Sequence, residues 1–212
     1  VSPGGDVVGI DIDASMLQIA REKANLEGVS NLEFIVSDIE TLAGISHQLF
    51  DVVFARWGLM YLQRPVRALR AVRRVLAENG VLVAAVWTDP DQASFFKLPR
   101  IALSNIVARQ LASNDGPGTF YYSDFDRLSR DLKSAGFDVK YTEILEVDVI
   151  EVTSGDELIA WARAFGMSKL LQDLSGSEQI AWERELISNA EPHRTDEGNI
   201  RLGGLSRLVV AA

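Results

Sequence analysis

Two aspartates stand just beyond the expected ends of two strands, where a carboxylate can bind a nucleoside. Asp11 follows the apolar run at residues 7–10, and Asp38 follows the run LEFIV at residues 32–36. In open α/β sheets, ligands bind outside the carboxyl ends of the strands. An acid at that place can accept hydrogen bonds from both hydroxyls of a ribose. The alternative for Asp11 is a turn or cap residue that serves only the helix after it.

Strand and helix patterns alternate around these aspartates. Apolar runs at residues 7–10, 32–36, 50–55 and 81–87 predict four buried strands. Amphipathic spacing predicts one helix after Asp13 and another that begins at Pro65 and ends at Asn79-Gly80. This alternation indicates βαβ units and a parallel sheet.

The regular alternation of strand and helix patterns stops after residue 87. Helical patterns cover residues 94–112 and 154–190, a capping box at Ser123 opens a helix that Gly136 closes, and residues 139–149 and 205–212 read as strands. We therefore expect a single domain over residues 1–212 with cap insertions at 94–120 and 154–195. The cap should lie over the ligand edge of the sheet, with the loop at 113–118 mobile.

Composition limits the classes of function. The chain has 212 residues, a net charge of −9, no cysteine and two histidines, His47 and His193. The negative charge argues against nucleic-acid binding, which depends on neutralising phosphates. The absence of cysteine excludes disulfides and thiolate chemistry, and two histidines argue against a histidine-rich metal site. No signal peptide or long apolar segment is seen, so a cytoplasmic protein without a membrane partner is expected.

Taken together, the motifs resemble the class I S-adenosylmethionine-dependent methyltransferases, and within them the group related to ubiquinone/menaquinone-biosynthesis C-methyltransferases. The matching segments are VVGIDIDASML at 7–17, FIVSDIE at 34–40, the block at 50–87 and YSDFDRLSRDLKSAGF at 122–137. The resemblance implies an α/β, Rossmann-like fold with a mostly parallel sheet, an antiparallel last strand and a helical cap. It also implies S-adenosylmethionine as cofactor and a small molecule as methyl acceptor.

The resemblance also assigns residues to the cofactor. It implies that Asp11 binds the ribose hydroxyls and Asp38 the adenine amino group. Ile12 would lie against the adenine with Ile39 beside it. Ala55 and Arg56 would lie under the methionine part.

The sequence departs from the family at its start. The family's first strand and its glycine-rich loop have no counterpart, and residues 2–5 match the loop after the family's first helix. A truncated gene, a fragment, a lost segment or a partner chain would each explain this. We expect such a chain to bind S-adenosylmethionine poorly. The strands at 7–12 and 50–55 should then pair with each other or form a homodimer through an unpaired edge.

Apolar and aromatic residues follow the strand ends or begin the cap, and we expect them to line an acceptor pocket. They are Trp57, Met60, Tyr61, Trp87, Phe95, Phe96 and Tyr121. They favour a hydrophobic or aromatic acceptor, although ordinary core packing is the alternative reading. No catalytic base can be named, because both histidines fit surface positions.

Two other functions remain open at this point. The chain could be a non-catalytic, methyltransferase-like interaction module, as the absent glycine-rich loop suggests. A nicotinamide-dependent oxidoreductase would also place an acid after the second strand, but the acid at Asp38 and the 50–87 block argue against it. A nucleic-acid methyltransferase fits the charge least well.

Overall fold

The structure is a computed structural model that describes residues 4–45, 49–107 and 116–212. His47 and residues 113–115 of the loop expected to be mobile lie outside these ranges. The strands are β1 (Val7–Asp11), β2 (Leu32–Val36), β3 (Phe50–Arg56), β4 (Leu76–Trp87), β5 (Val139–Val152) and β6 (Ile200–Ala211). The helices are α1 (Ala14–Leu26), α2 (Pro65–Val75), α3 (Ser94–Ile106), α4 (Phe125–Ser134), α5 (Gly155–Ala162), α6 (Ser168–Leu171) and α7 (Gly176–Ala190).

The strands form two sheets among the described residues. β1 and β2 pair in parallel, with Asp11 opposite Val36, and the other sheet has the order β3-β4-β6-β5. Asp138 and Ala212 exchange both backbone hydrogen bonds, at 2.8 and 3.0 Å. This exchange is the signature of an antiparallel pair, so β6 runs against β5. The expected antiparallel last strand and Rossmann-like α/β architecture are confirmed.

β1 and β3 each have a single neighbour among the described strands. They do not pair with each other, so the direct pairing allowed by the sequence does not occur. On β3 the side chains of Val52 and Phe54 are 51% and 67% exposed, although the run reads as a buried strand. An apolar strand with an open edge is a template for association with another segment.

The second predicted helix ends four residues earlier than its sequence pattern indicates. α2 stops at Val75, and Leu76 is already extended, with φ −70° and ψ 140°. A Cβ on Gly80 would lie 2.9 Å from the carbonyl oxygen of Phe50, so the backbones of β3 and β4 approach each other closely at Gly80. Pairing of β4 with β3 therefore draws Leu76 and the residues up to Gly80 into the sheet.

The chain divides into two compact units. The first unit comprises Val1–Ala84, Asp126–Tyr141 and Val209–Ala212, and the second comprises Ala85–Phe125 and Thr142–Leu208. Both segments expected to form the cap belong to the second unit. Their placement over the ligand edge stays a prediction.

Two packed helices dominate the second unit. The indole nitrogen of Trp182 on α7, which is fully buried, donates to the carbonyl oxygen of Pro99 on α3 at 2.9 Å. This bond satisfies the indole N–H, which would be costly to bury without a partner, and it fixes α7 against α3. Within the described ranges, no helix is both long enough and apolar enough to cross a membrane.

Candidate functional site

Asp11 is held at the end of β1 with one carboxylate oxygen available. Its Oδ1 accepts the backbone N–H of Asp13 at 2.8 Å. Asp13, rather than Asp11, caps α1, because its Oδ1 accepts the backbone N–H of Ser15 at 2.8 Å. The Oδ2 of Asp11 has no hydrogen-bond partner within the described part of the chain. Asp11 is therefore not the cap of α1, while its bond from the Asp13 N–H is the local turn bond that the alternative reading allows. The role of Asp11 in binding a ligand stays a prediction.

Asp38 repeats this arrangement beside the end of β2. Its Oδ1 accepts the backbone N–H of Glu40 at 2.8 Å, and no described residue bonds to its Oδ2. The backbone N–H of Ser37 donates to the carbonyl oxygen of Asp11 at 3.0 Å, so β1 and β2 end at the same level of the sheet. Two carboxylates, each oriented by a local backbone bond, thus face the same edge of the β1–β2 sheet.

Apolar side chains accompany the two aspartates. Ile12 follows Asp11 and is 70% exposed, while Ile39 follows Asp38 and is half-buried. The surface of Ile12 together with the carboxylates suits a planar, apolar base attached to a hydroxylated sugar.

A buried carboxylate that sequence reasoning gave no role fixes the loop after β2. Glu40 is 6% exposed, and its Oε1 accepts the backbone N–H of Arg64 at 2.9 Å while its Oε2 contacts the Arg64 Nε at 2.5 Å. Burial raises the pKa of the Glu40 carboxyl. The bonds from Arg64 and its charge outweigh burial, so the pKa lies below its ordinary value of 4.5. The pair ties the loop that carries Asp38 to the start of α2.

We expect Glu40→Gln to lower the stability of the chain near neutral pH. Because the folded-state pKa of Glu40 is depressed, its contribution is fully present above pH 4.5 and is lost as the pH falls through the folded-state pKa. The difference in unfolding free energy between wild type and variant should therefore be largest above about pH 5 and shrink in more acidic buffer. Urea unfolding at several pH values measures this. A difference that does not change between pH 7 and pH 3 would contradict the assigned role.

The end of β3 carries a strained aromatic residue. Trp57 has a φ of +55°, a region that bulky side chains rarely adopt. The Arg56 guanidinium lies 5.1 Å from the centroid of the Trp57 ring, and the Arg56 side chain is exposed. Strain of this kind clusters at ligand sites. Ala55 is half-buried beside them, and the roles of Ala55 and Arg56 under a methionine moiety stay predictions.

The residues proposed to line an acceptor pocket differ in exposure. Met60 is fully buried, and Trp87 and Phe95 are 3% and 1% exposed with ring centroids 4.7 Å apart. These three side chains are core in this structure. Tyr61 is 51% exposed, while Trp57, Phe96 and Tyr121 are partly exposed. The exposed and partly exposed residues are the ones that could touch an acceptor, and a common pocket stays a prediction.

Comparison with known proteins finds similarity to methyltransferases. A family model described as a methyltransferase domain matches residues 1–99. A ubiquinone/menaquinone biosynthesis C-methyltransferase of Pectobacterium carotovorum is 28% identical over 182 residues, which cover 78% of this chain and 66% of the relative. The enzyme of that name from Pseudomonas paraeruginosa is 32% identical over 155 residues, which cover 65% of this chain and 57% of the relative.

The fold is also similar to that of a solved methyltransferase structure. The solved structure of an S-adenosylmethionine-dependent methyltransferase from Methanosarcina mazei matches with a TM-score of 0.54 at 16% identity, covering 97% of this chain and 81% of that one. The chain is thus similar in sequence to methyltransferases over part of its length, and it has the fold of S-adenosylmethionine-dependent methyltransferases. It spans a little under two thirds of the length of the curated methyltransferases it matches.

Proposed function

We propose that the chain holds the nucleoside part of S-adenosylmethionine, with the low affinity expected from the sequence, and takes part in transferring its methyl group to a small organic acceptor. The observation that carries this proposal is the pair Asp11 and Asp38, each with a carboxylate oxygen left over at adjacent strand ends. Similarity to methyltransferases supports the choice of this nucleoside over others.

The donor set fits the nucleoside half of the cofactor. The ribose offers two hydroxyl donors and the adenine one amino donor, and ionised carboxylates only accept. Asp11 would hold the hydroxyls and Asp38 the amino group, while Ile12 and Ile39 would cover the faces of the base. No metal is needed for such a site, because every bond is a donor–carboxylate pair.

The contribution of the chain to methyl transfer is alignment. The bound cofactor supplies an electrophilic methyl group on a sulfonium. The residues of the chain would hold the acceptor in line with that methyl group, and positioning of two reactants lowers the barrier substantially. Arg56 and the strained Trp57 stand at the end of β3, where they would limit the positions open to the methionine part.

We further propose a hydrophobic or aromatic acceptor. The exposed Tyr61 and the partly exposed Trp57, Phe96 and Tyr121 support it, since their rings offer flat apolar contact. The relatives from Pectobacterium and Pseudomonas are named as ubiquinone/menaquinone biosynthesis enzymes, which supports an acceptor related to a quinone.

One observation favours the second candidate, a non-catalytic interaction module. The open edge of β3, with Val52 and Phe54 exposed, is a surface that another chain could cover. A homodimer through this edge or through β1 is part of the same proposal. Light scattering across a range of concentrations measures self-association. A strict monomer at every concentration would exclude the homodimer.

A pair of assays separates the two candidates. Calorimetry with S-adenosylhomocysteine should show heat for a methyltransferase and none for an interaction module. Mass spectrometry after incubation with S-adenosylmethionine should then show an acceptor heavier by one methyl group. Phenols and quinols should be methylated in preference to sugars. The absence of both heat and methylated product would overturn the proposed function.

A further inference from the structure

The second unit contains a cleft of about 610 Å³ that lies outside the proposed cofactor site. It is lined by residues from the start of α3, from β5, from the turn before β6 and from β6 itself. They include Ser94, Glu146, His193, Arg201 and Gly203. A volume of this size is typical of small-molecule sites, which span about 300–1,000 Å³.

The cleft exists because β6 continues where β4 stops. The backbone N–H of Thr88, just past β4, donates to the carbonyl oxygen of Leu205 at 3.0 Å. Two residues earlier on β6, the backbone of Gly203 bonds to a side chain instead. The Ser94 hydroxyl accepts from the N–H of Gly203 and donates to its carbonyl oxygen, each at 3.0 Å. The Ser94 side chain thus takes the place of β4 as hydrogen-bond partner of β6. The space beside Ser94 forms the cleft.

Both arginines that line the cleft are already neutralised. Arg201 contacts Asp148 at 3.5 Å and Glu151 at 2.9 Å. Arg194 pairs with Glu191 at 2.8 Å and also donates to the carbonyl oxygen of Gly198. An anionic ligand would have to break these pairs, so the cleft is not built for phosphate or carboxylate.

Two polar groups in the cleft remain available. Neither the Glu146 carboxylate nor the His193 imidazole has a hydrogen-bond or ion-pair partner among the residues that the structure describes. Carboxylates also outnumber guanidinium groups among the lining residues and their ion-pair partners, so the local field favours a cation. Within the described ranges no cluster of acidic, histidine or cysteine side chains could hold a metal ion, which points to an organic cation.

We propose that this cleft binds a small organic amine in its protonated form, with Glu146 as the counter-ion and His193 as a hydrogen-bond partner. The site goes beyond the proposed methyl transfer and does not depend on it.

The test compares three probes that share one ring and differ in charge: benzylamine, benzyl alcohol and benzoate. Binding to the full chain is followed by NMR of the histidine side chains, without cofactor or methyl transfer, so failure of the proposed function would not affect the result. We expect benzylamine to shift the His193 signals and to bind at least about three-fold more tightly than benzoate, the range of an exposed ion pair. His193→Gln identifies the signal.

Glu146→Gln should weaken benzylamine binding about two- to five-fold and leave benzyl alcohol unchanged. Glu33→Gln, which removes an exposed acid from β2 in the other unit, is the matched control and should have no effect. Equal binding of benzylamine and benzoate, or an unchanged benzylamine affinity in Glu146→Gln, would overturn the proposal.

Discussion

Asp11→Ala should weaken binding of S-adenosylhomocysteine by about 5- to 150-fold, which corresponds to about 1–3 kcal/mol. The loss follows from removing an ionised acceptor that holds two ribose hydroxyls. The effect should be large because the local bond from the Asp13 N–H fixes the carboxylate before the ligand arrives. Equilibrium dialysis with the full chain measures the change even where wild-type binding is weak.

Asp13→Ala is the matched control for this variant. Asp13 lies two residues away, but its carboxylate caps α1 and is not assigned to the ligand. The control should lower thermal stability and leave the affinity for S-adenosylhomocysteine unchanged. If Asp13→Ala weakened binding as much as Asp11→Ala, the loop as a whole would matter and the assignment of Asp11 would be wrong.

Gly203→Ala should destabilise the chain by about 1–3 kcal/mol, the range for forcing extra atoms into a packed region. A Cβ at this position would clash with the carbonyl oxygen of Val147, and it would lie 3.0 Å from the Val147 carbonyl carbon and 3.1 Å from the Cα of Asp148. These are backbone atoms of β5, which cannot swing aside as a side chain can. Relief would require β5 and β6 to separate.

Gly176→Ala gives the comparison for Gly203→Ala. A Cβ on Gly176 would meet no atom within 4 Å, and the residue opens α7, where alanine is the better helix former. Urea unfolding should show the Gly176 variant equal to or more stable than wild type. Similar losses in both variants would mean that the close contact at Gly203 is relieved at little cost.

The positions of the two aspartates at strand ends were predictable because their signal is local, while their roles in binding stay predictions. Asp11 and Asp38 each follow a short apolar run directly, and parallel strands bring their carboxyl ends to one edge. The start of α1 just after Asp13 is an equally local feature. Patterns within ten residues were sufficient for these features.

Features that depend on distant residues were missed. The pair of Glu40 and Arg64 joins positions 24 residues apart, and no motif links a loop acid to the start of a later helix. The early end of α2 depends on pairing of β4 with β3, which overrides the helical pattern around Leu76.

His193 shows the same limit at the candidate second site. It was expected to be a surface residue because Glu191 and Arg194 flank it in sequence. The structure places it in a cleft that is also lined by Ser94, which comes from about a hundred residues earlier in the chain. The spacing of residues in the sequence does not predict a cleft that forms between such distant segments.

The most direct test of the nucleoside site is a crystal structure of the chain with S-adenosylhomocysteine at millimolar concentration. The account predicts the ribose hydroxyls within about 3 Å of the Asp11 carboxylate and the adenine amino group at the same distance from Asp38. Ile12 should lie against the base. A nucleoside bound elsewhere, or bound with neither aspartate in contact, would contradict the account.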